Sequence, residues 1–152
     1  MKLRRLLQAG LVTATTDFIF SSVLVKFFYH SSVTRLWQGV ASVPLGPDML
    51  TGGLKTAAIG VGIHIGVAFM WTTVFYVLLT MAPALGRAAR ARFGLVTLAT
   101  IYGPLIWLAM SFLIIPSMTH RPPTINFRWW VQFFGHIPAV ALPIIATLTR
   151  ED

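Results

Sequence analysis

The distribution of apolar residues divides the chain into four long apolar runs. These runs cover about residues 6–29, 54–81, 93–115 and 127–149. About twenty apolar residues in a helix cross the hydrocarbon core of a bilayer, so each run is long enough to span a membrane. Lipid offers no hydrogen bonds to the backbone, which favours helices for all four runs. The pattern therefore predicts an all-α membrane protein built as an antiparallel bundle of four transmembrane helices.

A shorter amphipathic segment lies between the first two runs. Its apolar residues recur at helical spacing, at Val33, Leu36, Trp37 and Val40, and polar residues occupy the other side. A helix with one apolar and one charged or polar face lies along the membrane surface. The sequence therefore predicts a short interfacial helix between spans 1 and 2.

The second run carries small residues at a regular spacing. Ala58, Gly62 and Gly66 recur every four residues and therefore share one face of a helix. Small residues let two helix backbones approach closely in lipid, where van der Waals packing drives association. This strip predicts a helix-packing surface.

The composition agrees with a membrane protein and limits the class of function. The 152 residues are 56% hydrophobic and only 11% charged, with a mean hydropathy of +0.76. Soluble domains carry about 25% charged residues. Residues 1–152 are therefore predicted to form a single integral membrane domain. The absence of cysteine excludes disulfides, thiolate metal sites and a cysteine nucleophile.

The basic residues predict the orientation of the chain. The net charge is +8, and the lysines and arginines cluster at the ends of the apolar runs. Loops on the cytoplasmic side carry the excess of positive charge, and the basic N-terminus and second connector favour that side for both termini. We therefore expect a multi-pass membrane protein with both termini on the cytoplasmic side. Nucleic-acid binding is not expected, because no basic patch with interleaved aromatic residues lies outside the spans.

Aromatic and basic residues are predicted to line the opposite membrane surface. They are Arg35, Trp37, Arg128, Trp129 and Trp130. Tryptophan is enriched at membrane interfaces, and basic side chains attract anionic headgroups. We expect these residues to contact membrane lipids or a partner protein.

Four polar residues are predicted to lie deep in the membrane, each on a different span. They are Asp17, His64, Tyr102 and His136. Each is about eight to eleven residues from a span end, or roughly 12–16 Å at a rise of about 1.5 Å per residue. In a hydrocarbon core about 30 Å thick, all four approach the middle third. They are therefore predicted to form an intramembrane polar cluster.

This cluster has two interpretations from the sequence. A carboxylate in the membrane is costly unless it is paired, so Asp17 is expected to face the interior of the protein. In the first interpretation Asp17 accepts a hydrogen bond from His64, His136 or Tyr102, and the contact fixes the helix register. In the second, Asp17 and a histidine exchange a proton in a relay or ion pathway.

A third interpretation concerns cofactors. Histidines on two helices at similar depth can ligate a haem iron, or the magnesium of a chlorophyll, from both sides. Glycines beside His64 and His136 leave room for a macrocycle, although glycines in membrane helices usually serve packing. No cofactor is therefore expected, with haem or chlorophyll on His64 and His136 as the alternative. No metal site is predicted.

Several segments together resemble a known group of proteins. They are AGLVTATTDFIF, LWQGVASVPLG, TAAIGVGIHIGVAFMWTTVFY, IYGPLIWLAMSFLIIPSM and GHIPAVALPI. The chain resembles a family of uncharacterised small bacterial inner-membrane proteins with four spans. The resemblance implies that the aspartate, histidine, tyrosine and histidine of that family correspond to Asp17, His64, Tyr102 and His136. It supports the fold and implies no activity.

The functional expectation is a membrane subunit without catalysis. The sequence contains no nucleotide-binding, zinc-hydrolase or serine-hydrolase motif, so we predict that it is not an enzyme. The many packing features favour an accessory subunit that packs against other transmembrane chains in a larger membrane complex, for which a bioenergetic complex is one candidate. The alternative is a small proton-coupled transporter or ion-pathway protein that uses Asp17, His64 and His136.

Overall fold

The computed structural model describes residues 3–150, and this part of the chain contains helices and no strand. The α-helices are α1 (Leu3–Val23), α2 (Val33–Leu45), α3 (Gly53–Met81), α4 (Pro83–Arg90), α5 (Gly94–Ala109), α6 (Ile115–Thr119), α7 (Phe127–His136) and α8 (Leu142–Thr149). Three π-helical turns occur at Leu24–Phe28, Met110–Ile114 and Ile137–Ala141, and a 3₁₀ turn occurs at Pro47–Leu50. The prediction of an all-α protein is confirmed.

Among residues 3–150, four continuous helical segments are long and apolar enough to cross a membrane. They are Leu3–Phe28, Gly53–Met81, Gly94–Thr119 and Phe127–Thr149, and we call them spans 1 to 4. The second and third spans begin within a residue of the predicted positions. These segments support a multi-pass membrane protein, as the apolar pattern predicts.

Span 3 extends beyond its predicted end at residue 115. The helix continues through Pro116 to Thr119. A π-helical turn at Met110–Ile114 directly precedes this segment and places Pro116 in the first turn of α6. Proline is tolerated there because it lacks an N–H that a first-turn residue does not need. Asn126 caps the next span, where its side-chain oxygen accepts from the Trp129 N–H at 3.1 Å.

The spans enclose a small apolar core. Span 2 packs against α1 and α2, α1 packs against α8, and α5 packs against α7 and α8. Ile106, Ile144 and Ile145 are fully buried between these helices. The start of span 1 lies beside the residue that follows span 4, because the Arg5 guanidinium donates a hydrogen bond to the Arg150 carbonyl oxygen at 2.5 Å.

Helix α2 packs closely on the first two turns of α3. Trp37, Gln38 and Ala41 are buried in this contact. The Gln38 side-chain amide donates to the Gly53 carbonyl at 3.2 Å and to the Thr56 hydroxyl at 3.3 Å. A methyl group added at Gly60 would overlap the Trp37 carbonyl oxygen, so the two backbones touch. A helix therefore occupies the segment predicted to be amphipathic, and it buries part of one face against the protein.

Candidate functional site: the intramembrane polar residues

The Asp17 carboxylate and the His64 imidazole meet between spans 1 and 2. The His64 Nδ1 atom lies 3.7 Å from the Asp17 Oδ2 atom, and both side chains are mostly buried. The other ring nitrogen of His64, Nε2, lies 3.1 Å from the Ala14 carbonyl oxygen. His64 therefore contacts span 1 at two points, one turn of helix apart.

The contact with Ala14 shows which ring nitrogen of His64 acts as a donor. A carbonyl oxygen can only accept a hydrogen bond, so His64 Nε2 carries a hydrogen. The Nδ1 atom then faces the Asp17 carboxyl group. Each polar group gives the other a partner, which lowers the cost of placing both in the membrane.

Aromatic rings surround one side of the pair. The Trp37 ring of α2 lies 4.9 Å from the His64 ring, and Phe18 stacks on Trp37 at 4.8 Å with nearly parallel planes. The Asp17 Oδ1 atom is buried and has no hydrogen-bond partner among residues 3–150. The pair is therefore enclosed by protein, with one carboxylate oxygen left unsatisfied.

The other two predicted residues are bonded to the backbone. The Tyr102 hydroxyl donates to the Trp71 carbonyl oxygen at 2.7 Å, which ties span 3 to span 2. The His136 Nδ1 atom lies 2.7 Å from the Gln132 carbonyl oxygen in its own helix. His136 is buried and lies within electrostatic range of both Asp17 and His64. The structure thus joins Asp17 to His64, leaves His136 nearby, and bonds Tyr102 elsewhere.

These bonds do not suit the cofactor alternative. Axial ligation of a haem or chlorophyll requires a ring nitrogen that faces the macrocycle. Both ring nitrogens of His64 are directed at oxygens of span 1. Beside His136, Gly103 does not leave open space, because a methyl group there would lie 2.8 Å from the His136 backbone. His64 and His136 therefore do not fit a shared macrocycle in this arrangement.

The small-residue strip of span 2 faces away from the rest of the chain. Ala58, Gly62 and Gly66 are all exposed, and a methyl group added at Gly62 or Gly66 would have no atom within 4 Å. Gly60, which is not part of the predicted strip, is instead the glycine at which span 2 touches α2. Two faces of one helix therefore carry small residues, and only one of them has a partner within the described chain.

Only some of the residues of the predicted aromatic and basic surface are exposed in the structure. Trp37 and Trp129 are buried, with exposed fractions of 4% and 7%, whereas Trp130 is 47% exposed. The Trp129 indole N–H donates to the Ser111 hydroxyl at 2.6 Å, which joins spans 3 and 4. Arg35 and Arg128 are exposed; Arg35 donates to the Leu50 carbonyl at 3.2 Å, and Arg128 lies 4.3 Å from the centre of the Tyr29 ring.

The structure also shows a polar contact that the sequence analysis does not identify. The Thr16 hydroxyl donates to the Ala139 carbonyl oxygen at 2.6 Å and ties span 1 to span 4. Ala139 lies in the π-helical turn at Ile137–Ala141, where a carbonyl is free to accept a second bond. The position of Thr16 beside Asp17 is the only signal for this contact in the sequence.

Comparisons with protein-family models, with curated proteins and with solved structures find no match for this chain. The function must therefore be argued from the contacts of its own residues.

Proposed function

We propose that this protein is a non-catalytic subunit of a larger membrane assembly, and that it packs against another transmembrane chain through Ala58, Gly62 and Gly66. The observation that carries this proposal is the contrast between two faces of span 2. Gly60 is in contact with the α2 backbone, whereas Gly62 and Gly66 have open space beside them. One face is used within the chain, and the other is available to a partner.

The cost of glycine in a helix supports this reading. Each glycine destabilises a helix by about 0.5–1 kcal/mol relative to alanine. At Gly60 the close contact with α2 offsets that cost. At Gly62 and Gly66 the described chain provides no such contact, and a neighbouring helix at close range provides one. The residues G-x-x-x-G at 62–66 also have the spacing of close helix pairs in membranes.

The polar residues act in this proposal as contacts that hold the spans together. Asp17 and His64 join spans 1 and 2, Tyr102 joins span 3 to span 2, and Thr16 joins span 1 to span 4. Neutral hydrogen bonds such as those of Tyr102 and Thr16 contribute about 0.6 kcal/mol each in membrane proteins, and all of these contacts together specify the register of the helices. The proposed architecture is an antiparallel four-helix bundle, with α2 in the interface at the end where span 2 begins.

The transport alternative is less well supported by the same contacts. A proton relay requires groups that bond to one another in sequence. Tyr102 and His136 bond instead to backbone carbonyl oxygens. The Asp17–His64 pair therefore ends at the Ala14 carbonyl and is not extended by either residue.

We further propose that both termini lie on the cytoplasmic side of a bacterial inner membrane. The contact between Arg5 and Arg150 supports a common side for the two chain ends, and the basic N-terminal segment supports the cytoplasmic side. An alkaline phosphatase fused to the C-terminus is expected to be inactive, because it folds only in the periplasm; an active fusion contradicts this orientation.

Photo-cross-linking in intact cells tests the proposed packing surface. A photoreactive amino acid at position 58 is expected to give a covalent adduct with another protein chain, visible as a discrete band of higher mass. The matched control is the same amino acid at position 100, because Thr100 is exposed on span 3 and bonds only within its own helix. Position 100 is expected to give no protein adduct.

Two results would contradict the proposal. Equal adducts from both positions would mean that the strip is not a specific contact. No adduct from position 58, with efficient labelling shown by mass spectrometry, would mean that only lipid covers it.

A further inference from the structure

A cleft of about 830 Å³ opens at the end of the protein where span 3 ends and span 4 begins. One wall is the end of α2 with the turn that follows it, and the other wall is α6 with the segment 121–126. Residues of spans 3 and 4 close the inner part of the cleft. The lining residues that matter most are Ser42, Trp107, Ser111, Arg121, Arg128 and Trp129.

The cleft combines an apolar interior with a basic rim. Trp107, Ile115 and Pro116 supply apolar surface, and Ser111 is occupied by its bond to Trp129. Arg121 and Arg128 are exposed at the rim. None of the described residues that line the cleft is acidic. No carboxylate of the lining therefore offsets the positive charge of Arg121 and Arg128.

The environment of Arg128 keeps that charge available. Its guanidinium lies over the Tyr29 ring at 4.3 Å. Burial raises the pKa of the Tyr29 phenol, and the Arg128 charge lowers it only in part. Tyr29 is therefore neutral at pH 7, and it orients Arg128 through its ring without neutralising it.

We propose that this cleft binds one anionic phospholipid of the phosphatidylglycerol type. Its phosphate contacts Arg121 and Arg128, and an acyl chain lies along Trp107 and Ile115. This inference rests on the cleft alone and does not depend on the proposed packing through span 2.

Three features favour a lipid over other anions. The cleft lies at the ends of the membrane spans, at the level where headgroups lie if these helices cross a bilayer. Its volume is in the range of ligand sites, and much of its lining is apolar, which a free phosphate ion would leave uncovered. Basic pockets between transmembrane helices bind anionic headgroups.

The test is a lipid titration of the purified protein in a neutral detergent, followed by native mass spectrometry. The probes are dioleoylphosphatidylglycerol and dioleoylphosphatidylcholine, and inorganic phosphate is added as a competitor. One phosphatidylglycerol is expected to bind each protein more tightly than phosphatidylcholine, and millimolar phosphate is not expected to displace it. Arg121→Gln with Arg128→Gln is expected to weaken that binding about 30-fold.

The matched control is Arg87→Gln with Arg92→Gln, which removes the same charge at the other end of the spans. It is expected to leave phosphatidylglycerol binding unchanged, and thermal unfolding without added lipid is expected to be the same for both double variants. Equal weakening by the two double variants would overturn the proposal, as would equal affinity for the two lipids. If millimolar phosphate displaced phosphatidylglycerol, the two arginines at the rim would bind a free anion, and the lipid proposal would be wrong. Unchanged binding in the Arg121→Gln, Arg128→Gln variant would also overturn the proposal, because the phosphate would then not contact these two arginines.

Discussion

Gly60→Ala is expected to destabilise the protein by about 2–3 kcal/mol, the upper part of the range of about 1–3 kcal/mol for forcing extra volume into a packed contact. The added methyl group would overlap the Trp37 carbonyl oxygen and approach the Ala41 backbone nitrogen. Both are backbone atoms, so no side-chain rotation relieves the overlap. The first two turns of α3 must then separate from α2, which also weakens the bonds from Gln38 to Gly53 and Thr56.

Gly62→Ala is the matched control in the same helix. Its methyl group would have no atom within 4 Å. Alanine is also the better helix former by up to about 1 kcal/mol, so the purified variant is expected to be as stable as the original protein or slightly more stable. Equilibrium unfolding in mixed micelles with increasing dodecyl sulfate measures both free energies of unfolding. Equal destabilisation of the two variants would mean that α2 does not touch α3 at Gly60.

Asp17→Leu is the second large prediction, with an expected loss of about 3 kcal/mol, the lower end of the cost of breaking a buried pair. Leucine leaves the His64 Nδ1 atom buried without a partner, beside the aromatic rings of Trp37 and Phe18. Asp17→Asn keeps a polar group that can donate to a neutral imidazole, so its expected loss is only about 1 kcal/mol. The same unfolding assay distinguishes the two variants.

A double substitution distinguishes the loss of the contact between Asp17 and His64 from the effect of placing a leucine side chain at the site. Replacing Asp17 and His64 together by leucine removes both polar groups, and such apolar replacements of buried pairs are often neutral. The double variant is therefore expected to recover most of the stability that Asp17→Leu loses. If Asp17→Leu and Asp17→Asn are equally stable, or if the losses of the two single leucine variants simply add, Asp17 and His64 do not form a stabilising contact.

The sequence predicts the elements of this fold well, because its signals are local. The four apolar runs and the helix-spaced segment from Val33 each depend on neighbouring residues, and the structure contains a helix at each of them. The predicted end of span 3, just before Pro116, is wrong because it also rests on a local signal. A proline usually ends a helix, and only the preceding π-helical turn makes it compatible with the continuation to Thr119.

The candidate site is predicted only in part, because it depends on which helix faces meet. Spacing places Ala58, Gly62 and Gly66 on one face, but it does not show that this face is exposed while Gly60 contacts α2. The position of each residue along its span predicts that Asp17, His64, Tyr102 and His136 lie at a similar depth in the membrane. Depth does not reveal the rotation of each helix, which directs Tyr102 to a backbone carbonyl and Asp17 to His64.

The packing of Trp37 and Trp129 shows the same limit. Tryptophan near a span end is typical of an interfacial anchor. Here α2 folds back onto span 2 and covers Trp37, and the hydroxyl of Ser111 lies within reach of the Trp129 indole. Neither tertiary contact has a signature in the neighbouring sequence, so both residues resemble surface residues until the helices are assembled.

The most direct test of the central claim is the mass of the protein extracted from its own membranes in a mild detergent, measured by native electrophoresis and mass spectrometry. We expect a complex larger than one chain with its detergent and lipid. Gly62→Leu is expected to shift the protein to the monomer, whereas Thr100→Leu, a small-to-large change on the exposed face of span 3, is expected to leave the complex intact. Migration of the unsubstituted protein as a monomer, or a complex that Gly62→Leu does not weaken, would show that the protein is not a subunit held through this face of span 2.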